Sequence, residues 1–84
     1  MEAFGKATRY FLENVLKKRP YIKPEWIRKA RAGEIVEKKI QPDGRIRVWL
    51  HLPEEGKYLR VVFLEDGETV HNAFYDRTYK GEKE

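Results

Sequence analysis

The sequence predicts an α+β domain: two N-terminal helices packed on one face of a four-stranded antiparallel meander sheet. Three observations carry this. Up to Gly33 the apolar residues recur every three or four positions, and from Glu34 onward they alternate. Turn signals at Gln41-Pro42-Asp43-Gly44, at Pro53-Glu54-Glu55-Gly56-Lys57 and at Asp66-Gly67 then divide the alternating half into four strands. The 84 residues form one domain, 1–84, large enough to bury a single core.

The first helix is expected over about residues 3–18. Phe4, Ala7, Phe11 and Val15 keep a helical rhythm, and Tyr10, Leu12 and Leu16 widen the apolar stripe. Gly5 weakens the first turn, and Pro20 ends the helix near Arg19. Pro24 suits the first position of a second helix, about 24–32, with Glu25 beside its N-terminal dipole. That helix turns Trp26, Ile27 and Ala30 inward, and Gly33 supplies a left-handed C-terminal residue.

Strands follow at about 34–41, 45–52, 58–65 and 68–75, with a short charged tail over 80–84. A three-residue loop with a glycine bulge pairs Ile40 with Ile46 and Val36 with Leu50, whereas a two-residue loop sets Lys39 against Ile46 and spoils both faces. Matching core residues then pairs Leu52 with Leu59 and Leu50 with Val61. Asp66-Gly67 reads as a two-residue loop with both positions at positive φ, which sets Phe63 against Val70, Val61 against Asn72 and Leu59 against Phe74. In this phase Ile46, Val48, Leu50, Leu59, Val61 and Phe63 face the helices, as does Asn72. Arg45, Arg47, Trp49, His51, Tyr58, Arg60, His71, Ala73 and Tyr75 occupy the open face.

Composition narrows the chemistry. There are no cysteines and two histidines, so disulfides and cysteine-based metal sites are excluded, and neither metal nor cofactor is expected. No apolar run approaches the ~20 residues of a membrane span, and the N-terminus lacks a signal-type apolar stretch, so the expected location is cytoplasmic. The net charge is +4, but Lys17, Lys18, Arg19, Lys23, Arg28, Lys29 and Arg31 stand against Glu25 alone, making that segment locally +6.

Arginine, histidine and aromatic rings on one sheet face suit recognition or cleavage of a phosphodiester. Arginine forks onto phosphate, histidine exchanges protons near neutral pH, and exposed rings stack on unpaired bases. RNA brings its own nucleophile, the 2′-hydroxyl, so a base, an acid and a cation would suffice. In this reading His71 is the acid/base and Arg60 the phosphate clamp; Arg45, Arg47, Trp49, His51, Tyr58 and Tyr75 bind the strand, and Arg77 and Tyr79 add a second contact. The plainer reading is that the arginines solubilise the sheet and that Trp49 packs under a loop or forms a homodimer or partner face.

Arg19-Pro20-Tyr21-Ile22 with Glu25-Trp26, Asp43-Gly44-Arg45-Ile46-Arg47, Tyr58-Leu59-Arg60-Val61-Val62, and Gly67-Glu68-Thr69-Val70-His71-Asn72-Ala73-Phe74 with Asp76-Arg77 form a distinctive set. Over about residues 10–80 it resembles a group of short prokaryotic hypothetical proteins, which in turn resemble the RelE/BrnT-like toxin superfamily of toxin–antitoxin modules. The resemblance implies a small α+β endoribonuclease, independent of metal, that cuts mRNA and is held inactive by a cognate antitoxin protein. Arg60, His71, Arg77 and Tyr79 are the positions that would match its working residues. A non-catalytic nucleic-acid-binding module and a protein-interaction domain remain the alternatives.

Overall fold

The computed structural model describes residues 3–79 and shows the expected α+β architecture, with helices N-terminal to an antiparallel sheet whose strands β1 (Glu37–Ile40), β2 (Ile46–Leu52), β3 (Lys57–Phe63) and β4 (Val70–Tyr75) lie side by side in that order. The expected tail at 80–84 lies outside the described residues.

The first helix starts later than its apolar rhythm predicts. Gly5 takes φ +70°, and the chain then runs alongside β4, where Val70 N–H donates to the Lys6 carbonyl and Thr8 N–H to the Val70 carbonyl, both at 3.0 Å. Thr8 caps the helix by accepting the Phe11 N–H at 3.0 Å. Residues 9–18 are helical, with a π-turn over Phe11–Val15 and a last α-turn over Leu16–Lys18. Phe11 and Val15 are buried, whereas Tyr10 and Leu12, expected in the stripe, are exposed.

The second helix, Pro24–Arg31, matches expectation and buries Trp26, Ile27 and Ala30. Its end is a Schellman motif: Gly33, at φ +90°, donates to the Ala30 carbonyl, and Glu34 N–H donates to that of Lys29. Arg31 ties this end to the N-terminal segment, donating to the carbonyls of Phe4, Lys6 and Glu68.

The first hairpin has the expected register, Ile40 opposite Ile46, with Gly44 at φ +93° closing the loop. The helices do not reach across β1, however, so Ile40 and Val36 are exposed.

The second hairpin differs from expectation by two residues: Leu50 pairs with Leu59, Trp49 with Arg60 and His51 with Tyr58. A slip of two leaves every side chain on its original face, so hydrophobic alternation does not detect it. The loop is the turn over residues 53–56, with Gly56 at φ +64°, and pairing starts at once with Leu52 opposite Lys57.

In the third hairpin Phe63 does face Val70, but the turn is of another type. Only Gly67 has positive φ. The Asp66 carboxylate stands outside the turn's backbone bonds and accepts from Glu68 N–H, Thr69 N–H and the Thr69 hydroxyl. A bulge follows: Val62 pairs with Asn72, which leaves His71 as the extra residue. This inverts β4 beyond the bulge. Ala73 is fully buried in the core and Tyr75 packs against it, while Phe74, expected inward, lies opposite Arg60, whose guanidinium is 4.9 Å from its ring centroid. Val61 and Leu59 are fully buried beneath the helices, so the phase of β2 and β3 stands as read.

Candidate functional site

Past β4 the chain does not leave the sheet. An Asp-x-Thr sequence, Asp76-Arg77-Thr78, favours a side-chain-closed turn. Asp76 Oδ1 accepts from the Thr78 hydroxyl at 2.7 Å, from Thr78 N–H at 3.0 Å and from Tyr79 N–H at 3.2 Å. Its other oxygen, Oδ2, accepts from Trp49 Nε1 at 2.9 Å and from Arg60 Nη2 and Nε at 2.8 and 3.1 Å. Burial by itself would raise the Asp76 pKa, but hydrogen bonds from Trp49, Thr78 and Arg60 outweigh it and hold the carboxyl well below the usual carboxylate range.

Residues 76–79 therefore form a strap over the open face. Tyr79 stacks on Trp49 with ring centroids 5.1 Å apart, and its hydroxyl donates to Glu37 Oε1 at 2.8 Å. Trp49 is only 4% exposed, so it is not an open stacking or dimer surface; it packs under a loop, as the plainer reading of the sequence expects. Its indole N–H needs a buried partner and finds one in Asp76. Arg60, expected to clamp phosphate, is already neutralised by Asp76 and lies over the Trp49 and Phe74 rings.

Where the strap meets the ends of β3 and β4, a cleft of about 460 Å³ opens. Tyr58, Tyr75 and Tyr79 supply its rings, and Lys57 and Arg77 its cations. Tyr58 meets Tyr79 edge to face at 5.0 Å, and His51 stacks on Tyr58 at 4.8 Å. Lys57 Nζ lies 5.1 Å over Tyr75, which stacks in turn on Tyr21 at 4.5 Å. Burial raises the Tyr75 pKa, with the negative charge of Glu55 and the neighbouring Tyr21 adding to it, so this phenol stays a neutral donor at physiological pH. Arg77 is exposed and forms no ion pair among the described residues.

Four of the expected binding residues, Tyr58, Tyr75, Arg77 and Tyr79, thus come together, with His51 beside them. Others do not join. Arg45 pairs with Asp43 at the far hairpin end. Arg47 donates to Gln41 and lies 5.9 Å from Trp49.

His71, the expected acid/base, sits at the bulge. Its Nδ1 is 3.1 Å from the Thr8 hydroxyl and its ring is 5.0 Å from that of Tyr10. Burial lowers its pKa, and the charge of Arg45 lowers it further. Phe74, the partner of Arg60, lies three residues further along β4 than His71, roughly 10 Å of strand. The proposed catalytic pair is therefore held by separate partners. Among the described residues no cluster of three or more His, Cys, Asp or Glu side chains is placed to hold a metal ion, and no helix is long and apolar enough to cross a membrane.

Sequence reasoning missed Asp76, Lys57 and Glu37 as parts of this region. The Asp-x-Thr turn signal marked Asp76, and a Trp at a strand centre with no partner in the sheet asked for an acceptor. Nothing marked Lys57, whose place depends on the hairpin register. Comparison with protein-family models, with curated proteins and with solved structures finds no match.

Proposed function

We propose that the protein is a single-stranded RNA-binding module that captures an unpaired nucleotide in the tyrosine-lined cleft. One observation carries this reading: Tyr58, Tyr75 and Tyr79 converge in one concavity flanked by Lys57 and Arg77. Bases stack on aromatic faces regardless of sequence, each stack worth roughly 1–3 kcal/mol, while nearby cations take the phosphates. A cleft of about 460 Å³ falls within the roughly 300–1,000 Å³ that small-ligand sites span. The formal charge of +4 attracts a polyanion from a distance.

Binding without cleavage is the form the geometry favours. A toxin-type endoribonuclease would require Arg60 free of Asp76 and His71 within reach of the same phosphate, and each has another partner here. An antitoxin partner belongs to that cleaving reading.

The test is a titration of fluorescent single-stranded oligoribonucleotide, with the same samples run on a denaturing gel. We expect binding that weakens with salt by about 0.7 log units in affinity per tenfold salt for each neutralised phosphate. We also expect intact RNA throughout and a loss of at least tenfold in affinity for Lys57→Gln with Arg77→Gln. Absence of binding at low salt would overturn the reading. Shortened RNA whose appearance depends on His71 and Arg60 would restore the endoribonuclease.

A further inference from the structure

The cleft does not stop at Tyr75. The ring of Tyr75 continues into Tyr21, parallel to within 12°. Tyr21 is 39% exposed, so part of its surface remains open to a further ring. Two further cations flank this end of β4, one on each side: Arg19 lies 5.6 Å over Phe74, and Lys23 lies 5.6 Å over Trp26, whose ring is 6.2 Å from Tyr75. Neither Arg19 nor Lys23 forms an ion pair among the described residues, and exposed Lys17 and Lys18 lie just before them in the chain. The acids nearby in sequence or field are Glu25, Glu54, Glu55 and Asp76, the last already paired with Arg60, so the three others face six cations: Lys17, Lys18, Arg19, Lys23, Lys57 and Arg77.

From this arrangement we infer that the site is a track rather than a single pocket, running from the cleft over Tyr21 to Arg19 and Lys23, and that its ligand is a short single-stranded oligonucleotide instead of a mononucleotide. This deepens the RNA-binding reading and rests on it. The basic connection between the helices acquires a role by this route: its charge continues a stacking surface that the third and fourth strands begin.

The probes are uridine 5′-monophosphate and uridine oligomers of two to eight residues, titrated at low salt while ligand-induced shifts are followed by NMR. Affinity should rise at least tenfold between one and about four nucleotides, then level off. With Lys57 and Arg77 alone engaged the salt slope should be about −1.4, and with Arg19 and Lys23 added about −2.8. Arg19→Gln with Lys23→Gln should remove the gain with length and return the steeper slope to the shallower one, leaving the monophosphate affinity as it was. Tyr21→Ala should lower octamer affinity at least fivefold, and unfolding curves of both variants verify that they fold.

Equal binding of monophosphate and octamer would overturn the track while sparing the cleft, as would an octamer affinity indifferent to both variants. If no member of the series binds, the RNA-binding reading itself falls, and the track with it.

Discussion

Replacing Asp76 tests what holds the strap. In Asp76→Ala, Trp49 Nε1 loses its acceptor in a site that is 4% exposed, at a cost of about 1–3 kcal/mol for a buried donor left unsatisfied. Arg60 loses its ion pair, but its side chain is 26% exposed and water partly replaces the carboxylate, so about 1 kcal/mol is assigned there. The turn bonds to Thr78 and Tyr79 are closer to solvent and contribute less. The sum is about 3 kcal/mol, which for a domain of this size lowers Tm by roughly 12–24 °C.

Asp76→Asn should cost somewhat less, about 2 kcal/mol, since an oxygen remains for the turn while an amide N–H₂ cannot accept from Trp49 or Arg60. Urea titration at pH 7, read by tryptophan fluorescence, measures both values. A double-mutant cycle with Arg60→Met isolates the pair. A loss below about 1 kcal/mol in Asp76→Ala, or no coupling to Arg60, would show that the strap is held by Tyr79 stacking and not by the carboxylate.

Two titrations give further checks. His71 has a pKa lowered by burial and by Arg45, so its proton binds the unfolded chain more tightly than the folded one. Its stabilising contribution is complete above the ordinary value of 6.5 and is lost as pH falls below it; the urea midpoint should drop between pH 7 and 5, and His71→Gln should flatten that drop. A midpoint that rises on acidification through this range would contradict the assignment. The pKa of Asp66 is lowered from 3.8 to about 2, chiefly by the Thr69 hydroxyl, so its contribution is present above 3.8 and is lost as pH falls through about 2. Carbon-detected NMR titration should find that midpoint, and Thr69→Val should move it upward; an unmoved midpoint would assign the shift to the backbone donors instead.

How far the sequence speaks for the structure depends on the length scale of each signal. Apolar spacing in Trp26, Ile27 and Ala30 fixes a helix face, and alternation from Ile46 to Leu52 fixes which side of a strand is buried. Both are local. The two-residue slip of β2 on β3 is invisible to alternation, and only the loop geometry at Gly56 decides it. The bulge at His71 is harder still. Alternation placed Ala73 outward and Phe74 inward, whereas the extra residue exchanges them, because Ala73 fits beneath the helices and Phe74 covers the Arg60 guanidinium. The candidate site shows the same division. Tyr58, Tyr75, Arg77 and Tyr79 are legible by residue type and by their place near the sheet, but alternation puts Trp49 and Arg60 on the open face, and nothing local shows which segment folds back over them.

That return also explains why the proposed binding surface lies at the seam and not on the sheet. Asp76 and Arg77 are neighbours with opposite fates: the turn that draws Asp76 under Tyr79 throws Arg77 outward to the cleft. A buried anion thus positions an exposed cation. Coulomb's law alone predicts that Asp76→Asn should strengthen RNA binding, as it deletes a negative charge beside the proposed phosphate site. If strap geometry governs instead, the same variant should bind several-fold more weakly, through displacement of Arg77 and Tyr79, and Asp76→Glu, which keeps the charge but overfills the turn, should be weakened too. Tighter binding by Asp76→Asn at low salt would show that the carboxylate acts on the cleft only as a charge, and the positioning argument would be lost.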